Sequence, residues 1–292
     1  MAGRAPSLFL HRRRVATGLA SVLCAGVLTG CTVASGAAED TGPEPGTRAA
    51  DVLPPTAGMG FDYQIGGGYT PPDGVRAVSR DRGDEPAAGL YNVCYVNAFQ
   101  TQPGALDWWQ DTHPDLLLRD EDGEPIIDEG WDEVLLDTST PAKRTQLVGI
   151  VGEWIDGCEE SGFQAVEPDN LDSFERSKGR LTAAHNAAFA TSLAERAHSD
   201  GLAVGQKNTT DLLDRHTAIG FDFAVTEECA QFDECGAYAE AYDGRVLAIE
   251  YEGEGDVSFE EACSGWGDRI SLVLRDLEVL PAGEKGYVYR SC

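Results

Sequence analysis

The sequence predicts an α/β fold, a single (β/α)8 barrel of the TIM type, and three observations lead there. Short apolar or β-branched runs recur between Gly60 and Tyr251, separated by polar, glycine-rich segments and by stretches with helical spacing. Eight such runs can be counted, the number that a closed parallel barrel requires. The residues that end the runs are mostly acids and amides, and the C-terminal strand ends are where such a barrel carries its chemistry.

In chain order the runs are Phe61–Ile65, Arg76–Ser79, Tyr91–Val96, Val134–Leu136, Phe163–Val166, Leu202–Val204, Phe221–Val225 and Val246–Ile249. Apolar residues three and four apart predict the clearest helices over Thr145–Glu160 and Thr182–Ser199. One more apolar run, Ile270–Leu274, falls outside the count of eight and is expected to cap the barrel.

The chain ahead of the barrel reads differently. Arg4, Arg12, Arg13 and Arg14 precede an apolar stretch from Val15 to Leu28 that ends in Leu28-Thr29-Gly30-Cys31. The stretch is short for a membrane span, and a cysteine after small residues resembles the cleavage and lipidation site of bacterial lipoproteins. Residues 1–30 are therefore expected to be a signal peptide and Cys31 the lipidated first residue of the mature chain, which would sit on the outer face of the cell membrane. The alternatives are a plain secretory signal cut nearby and, given the three consecutive arginines, twin-arginine export. Residues 31–57 are rich in Ala, Gly, Thr and Pro and poor in large apolar groups, so they are expected to form a flexible tether. The folded domain is then 58–292, the length of one barrel, with no further contact to the membrane.

The chain has 22 Lys+Arg against 50 Asp+Glu, and the loss of the leader arginines makes the excess of acid larger still. Nucleic acid is excluded as a partner and a cationic ligand is favoured, although a solubilising surface explains the charge equally well. Of eight cysteines, Cys24 leaves with the leader and Cys31 carries lipid, so Cys94, Cys158, Cys229, Cys235, Cys263 and Cys292 remain. Six in an oxidising compartment point to disulfides, and no metal is expected because Cys229-x5-Cys235 has no histidine near it. Of the possible connectivities the favoured one staples Cys229 to Cys235, ties Cys263 to Cys292, and leaves Cys94 with Cys158.

The run ends carry the candidate site: Gln64 before Gly66-Gly67-Gly68, then Asp81, Asn97 and Asp137. Glu167 follows with Asp169 and Asn170, then Lys207 with Asn208, Glu227, and Glu250 with Tyr251. The centre is Val166-Glu167-Pro168-Asp169-Asn170, where the two acids lie two apart and project to one side of an extended chain. A purely structural barrel has no reason to place acids and amides at nearly every strand end, whereas an enzyme acting on sugar hydroxyls and glycosidic oxygens does. Tyr63 and Trp131 are candidates to stack on sugar rings, and Trp108-Trp109 reads as helix packing. No Ser-His-Asp order, P-loop or zinc-protease pattern appears, which argues against acyl transfer, nucleotide chemistry and zinc hydrolysis. Asp120-Glu121-Asp122-Gly123 lacks the remaining spacing of a calcium loop and reads as a solvated turn.

These residues resemble glycoside hydrolase family 114, the endo-α-1,4-polygalactosaminidases, over nearly the whole mature domain. The likeness is carried by Tyr63-Gln64 with its glycines, Cys94-Tyr95, Glu167-Pro168-Asp169-Asn170 followed by Asp172, and Gly205-Gln206-Lys207-Asn208. It continues through Glu227-Glu228-Cys229 with Gln231 and Glu234-Cys235, and Glu250-Tyr251. The resemblance implies a (β/α)8 barrel that cleaves α-1,4-linked galactosamine polymers internally, with Asp169 and Glu227 as the catalytic pair and no cofactor. It also implies a polycationic galactosaminan as the partner for the acidic chain. Asn97 and Phe99, where small residues are expected, and Thr209, where an acid is common, depart from the family pattern and are expected to line subsites.

Two carboxyl groups suffice for glycoside cleavage: one protonates the leaving oxygen, the other attacks or activates water. Asp169 and Glu227 end the fifth and seventh runs, near each other across a barrel mouth. Asp169 is assigned as nucleophile or base, because Asn170 and Lys207 favour its charged form, and Glu227 as acid; the reverse assignment stays open. Glu167, Asp137 and Glu250 are expected to bind substrate or set the pKa of the pair. The protein is expected to be a monomer, and the competing readings are a surface protein that binds a cationic amino-sugar polymer without cleaving it and a glycosidase for another polysaccharide.

Overall fold

The computed structural model describes residues 52–253 and 255–292. The leader, Cys31 and the tether up to residue 51 lie outside the described residues. The strands are β1 (Phe61–Tyr63), β2 (Ala77–Asp81), β3 (Tyr91–Asn97), β4 (Ile127–Asp128), β5 (Glu133–Val134), β6 (Ala165–Asp169), β7 (Ala203–Lys207), β8 (Phe223–Glu227), β9 (Val246–Tyr251), β10 (Ser271–Arg275) and β11 (Tyr289–Ser291). The helices are α1 (Leu106–Thr112), α2 (Pro141–Ser161), α3 (Ser173–Arg176), α4 (Ala183–Ser199), α5 (His216–Ile219), α6 (Cys235–Ala241) and α7 (Gly255–Trp266).

The main sheet runs β1-β2-β3-β6-β7-β8-β9-β10, every neighbouring pair parallel, with β11 added antiparallel to β10. It curls until β10 lies beside β1, giving a nearly closed barrel in a single domain. No backbone ladder joins these two strands. Instead Arg275 Nη1 meets Asp62 Oδ1 at 3.1 Å across the seam, both side chains fully buried, while the guanidinium also donates to the carbonyls of Val288 and Leu280. A buried ion pair so saturated with partners makes the seam intolerant of losing either member.

Two expectations from the sequence are corrected here. Val134–Leu136 is not a barrel strand: β3 pairs directly with β6, and β5 forms an antiparallel hairpin with β4 in the long excursion between β3 and α2. The run is apolar because it faces two cores: Val134 and Leu136 belong to the main core that also holds Leu116 and Leu117, and Leu135 packs with Leu118, Ile126 and Leu181, burial that a short apolar run does not distinguish from that of a barrel strand. Ile270–Leu274 is no cap: as β10 it is the eighth barrel strand, paired in parallel with β9.

Period-two alternation divides each strand between two cores. Phe61 and Tyr63, Ala77, Val93, Ala165, Ala203, Phe223 and Val225, Leu247 and Ile249, and Val273 fill the barrel interior. Their neighbours, such as Cys94, Val166, Val204, Ala224 and Ala248, pack under the helices. Helix α2 starts at Thr140, whose hydroxyl accepts from Lys143 N, with Pro141 in the first turn, and stops at Gly162 with φ of 93°. Helix α4 is capped in the same way by Thr182. Disulfides join Cys94 to Cys158, Cys229 to Cys235 and Cys263 to Cys292, so β3 is tied to α2 and the C-terminus to α7.

Candidate active site

Counting on by twos from the interior residues leads to the site. From Ala165 the inward phase passes through Glu167 to Asp169, from Ala203 to Lys207, from Val225 to Glu227, from Ile249 to Tyr251, and from Val93 through Tyr95 to Asn97. Below, these strands offer small and apolar groups; at their C-terminal ends they offer acids, a lysine and tyrosines. Because Val134–Leu136 is not a barrel strand, Asp169 and Glu227 end the fourth and sixth barrel strands, one on each side of β7.

Lys207 binds the constellation together. Its Nζ lies 2.7 Å from Glu167 Oε1 and 2.8 Å from the Tyr63 hydroxyl, and 3.4 Å from both Asp169 Oδ1 and Glu227 Oε2. Burial by itself would lower the Lys207 pKa; Asp169, Glu167 and Glu227 outweigh it and hold the ammonium well above its ordinary value. Glu167 is buried beneath the pair, accepting from Tyr63 at 2.9 Å and Ser79 at 2.7 Å as well as from Lys207. Its burial raises its pKa and the Lys207 ammonium opposes the rise.

The pair itself is held by donors from several elements. Asp169 accepts from Tyr95 Oη at 2.6 Å and from its neighbour Asn170 N at 2.7 Å. Glu227 accepts from Tyr251 Oη and, at 3.2 Å, from Asn208 Nδ2, while Asn208 Oδ1 accepts from Glu227 N at 2.8 Å. Burial raises the Tyr95 and Tyr251 pKa values well above the usual phenol range, with the adjacent Asp169 and Glu227 charges adding to the effect, so both hydroxyls stay donors. Around the pair runs an open trough whose two halves share Trp131, Asp172, Asn208, Glu227, Tyr251 and Leu277. Trp131 and Phe232 are each 60 % exposed on its rim, and Leu277 is 55 % exposed, a set of apolar faces set among acids.

Of the residues expected to bind substrate, Asp81, Trp131, Asn170, Asn208 and Tyr251 line the trough together with Asp169 and Glu227. Tyr63, Glu167 and Lys207 do not; they form the floor below the pair, so Tyr63 is not a stacking platform. Asn97 is buried at the end of β3, donating to Glu133 Oε2 at 2.8 Å and accepting from Asn170 Nδ2 at 3.0 Å. Gln64 and Glu250 stand on the outward phase of their strands. Gln64 accepts from Arg80 and donates to Asp62, and Glu250 accepts from Ala230 N at 2.9 Å, bracing the loop after β8. Asp137 follows the hairpin and belongs to the start of α2, where Lys143 and Ser139 N bind it; these donors lower its pKa against the effect of its burial. Phe99 packs edge-on against Phe189 in the core, while Thr209 lines the trough.

Sequence reasoning did not single out Tyr95, Glu133, Asp128 or Arg176 as site residues, yet all four line the trough. Arg176 on α3 reaches Asp128 at 2.8 Å and Asp172 at 2.9 Å and donates to Asn170, while Glu133, with its pKa raised to about 7 by burial, sits beside Asn97. Tyr95 is visible in principle, being on the inward phase of β3; the others come from the β4–β5 hairpin and the short helix α3. Among the described residues, the cluster with metal-ligand proximity is Cys229, Cys235 and Glu250, and its two sulfurs are bonded to each other.

Solved structures match this arrangement of strands. Ega3 of Aspergillus fumigatus, determined in complex with galactosamine, superposes with a TM-score of 0.66 at 22 % identity, covering 85 % of this chain and 100 % of that one. The glycoside hydrolase domain of PelA from Pseudomonas aeruginosa gives a TM-score of 0.54 at 15 % identity, covering 77 % and 97 %. No curated protein sequence matches. The family model of glycoside-hydrolase family GH114 matches residues 42–292, and the chain, with its strand-end carboxylates in an open trough, belongs to that family of glycoside hydrolases.

Proposed function

We propose that this glycoside hydrolase cuts α-1,4-linked, galactosamine-rich polysaccharide within the chain, using Asp169 and Glu227 as its catalytic pair. The observation that carries the reading is the position of Lys207, 3.4 Å from an oxygen of each carboxyl group, which keeps those two oxygens within twice that distance of each other. Retaining glycosidases place their carboxyl groups about 5–5.5 Å apart and inverting ones about 6.5–9.5 Å; the bound admits the retaining spacing, and direct attack with retention of configuration is the course we propose. Asp169 is the nucleophile: Tyr95, Asn170 N and Lys207 converge on it, and its side chain is less exposed than that of Glu227. Glu227, open to the trough, protonates the leaving oxygen and then takes a proton from the water that releases the sugar.

An open trough admits a polymer rather than a chain end, and its lining favours a cation. Asp128, Glu133, Glu175, Asp211, Glu228 and Glu234 stand along it, and among the described lining residues Arg176 is the only cation. Galactosamine bound to the similar Ega3 supports an amino sugar as the unit recognised. The test is incubation with a panel of amino-sugar polymers and mass spectrometry of the products: a ladder of short oligomers from galactosamine-rich polymer supports the reading. Intact polymer that nevertheless binds would make the protein a glycan-binding one, and cleavage of another polymer alone would move the substrate.

We place the enzyme outside the cell, tethered by lipid on Cys31 through residues 31–57, on the strength of the leader-like residues 1–30. Cys31→Ser should release it from the membrane fraction; wild-type protein that is already free would remove the anchor from the account.

A further inference from the structure

Two successive non-glycine residues just after β7 have positive φ, Asn208 at 46° and Thr209 at 67°. Asparagine enters the left-handed region readily, whereas a β-branched threonine there is an outlier. Backbone of this kind persists only where its surroundings over-determine it. Here the restraint comes from Gln206, which lies on β7 with the phase opposite to Lys207 and is fully buried outside the barrel. Its Nε2 donates to the Asn208 carbonyl at 3.0 Å and to the Thr209 carbonyl at 2.9 Å. Two carbonyl oxygens can be met only by the nitrogen end of the amide, and Tyr242 Oη, 2.6 Å from Gln206 Oε1, holds the other end.

The strained turn has an effect in the site. It lays the Asn208 side chain along Glu227, accepting from the Glu227 backbone N–H and donating to its carboxylate. Neither Gln206 nor Tyr242 lines the trough, so neither touches substrate. We propose that Gln206 and Tyr242 are positioning residues that act through the Asn208–Thr209 turn: by fastening its two carbonyls they keep Asn208 on Glu227 and so fix the proton-donating carboxyl over the scissile bond. The inference rests on the role given to Glu227 above.

The experiment is steady-state kinetics on an α-1,4-linked galactosamine polymer. Gln206→Met keeps the volume and removes both donors; it should lower kcat roughly ten- to hundredfold, the scale of a small misplacement of a catalytic group, with KM nearly unchanged. Tyr242→Phe should give a smaller fall of the same kind. Glycine accepts positive φ without restraint, so in a Thr209→Gly background the Gln206→Met penalty should shrink several-fold. A wild-type kcat for folded Gln206→Met, or an equal penalty in both backgrounds, overturns the proposal. If Gln206→Met does not fold, Tyr242→Phe decides, and an unchanged kcat there overturns it. Glu227→Gln separates the two layers: if it retains full turnover the reading of Glu227 fails, and if it is inactive while Gln206→Met is not, the positioning role alone fails.

Discussion

Replacing Lys207 by methionine tests the electrostatic design of the barrel mouth. The ammonium is 2 % exposed and serves Glu167, Asp169, Glu227 and Tyr63 at once, so the variant leaves three acids around a cavity without a cation. Removing one partner from a buried charge set costs about 3–5 kcal/mol. For a domain of this size each kcal/mol lowers Tm by roughly 2–4 °C, so a fall of roughly 6–20 °C is expected. The sign with pH follows from Glu167, whose burial already raises its folded pKa above 4.5. Such a group contributes stability below its unfolded pKa and loses it as pH rises through the folded value, and removal of Lys207 moves that folded value further up. Calorimetric melts at pH 4.5 and pH 8 should therefore show the larger deficit at pH 8, and Glu167→Gln added to Lys207→Met should recover part of it. A deficit under about 1 kcal/mol, or one equal at both pH values, would refute the reasoning.

Two further outcomes are expected. Glu133 and Glu250 have pKa values raised to about 7 by burial, so the stability each contributes is complete below 4.5 and disappears as pH climbs through 7; Glu133→Gln with Glu250→Gln should flatten the decline of Tm between pH 5 and pH 8, and a parallel curve would contradict this. Turnover on deacetylated galactosamine polymer should weaken once added salt brings the Debye length below about 10 Å, while acetylated polymer barely responds. Equal sensitivity would take charge out of the specificity.

How much of this was legible in the sequence follows from period two. Once Ala165 and Val225 are known to face the interior, Asp169 and Glu227 must end up at the mouth, and the same count predicts Lys207 and Tyr251. It also turns Gln64 and Glu250 outward, which reading only the last polar residue of each run overlooked. The barrel is legible, but not every strand: Val134–Leu136 is apolar because Val134 and Leu136 join the main core and Leu135 a smaller one, and with this false run completing a count of eight, Ile270–Leu274 has no place among the strands. That substitution drew Asp137 into the expected site, whereas the structure gives it to α2. Asp128, Glu133 and Arg176 were invisible for a different reason. They reach the trough from a hairpin and a one-turn helix, whose placement depends on long-range packing that no local pattern encodes.

The central claim is that Asp169 and Glu227 perform the cleavage, and the direct measurement is the release of reducing ends from α-1,4-linked galactosamine polymer by the wild type, Asp169→Asn and Glu227→Gln. Both substitutions keep the shape and remove the carboxyl chemistry, so each should lower turnover by at least about a hundredfold while the polymer still binds. Cleavage by Asp169→Asn or Glu227→Gln at the wild-type rate would contradict the assignment and leave only the barrel standing.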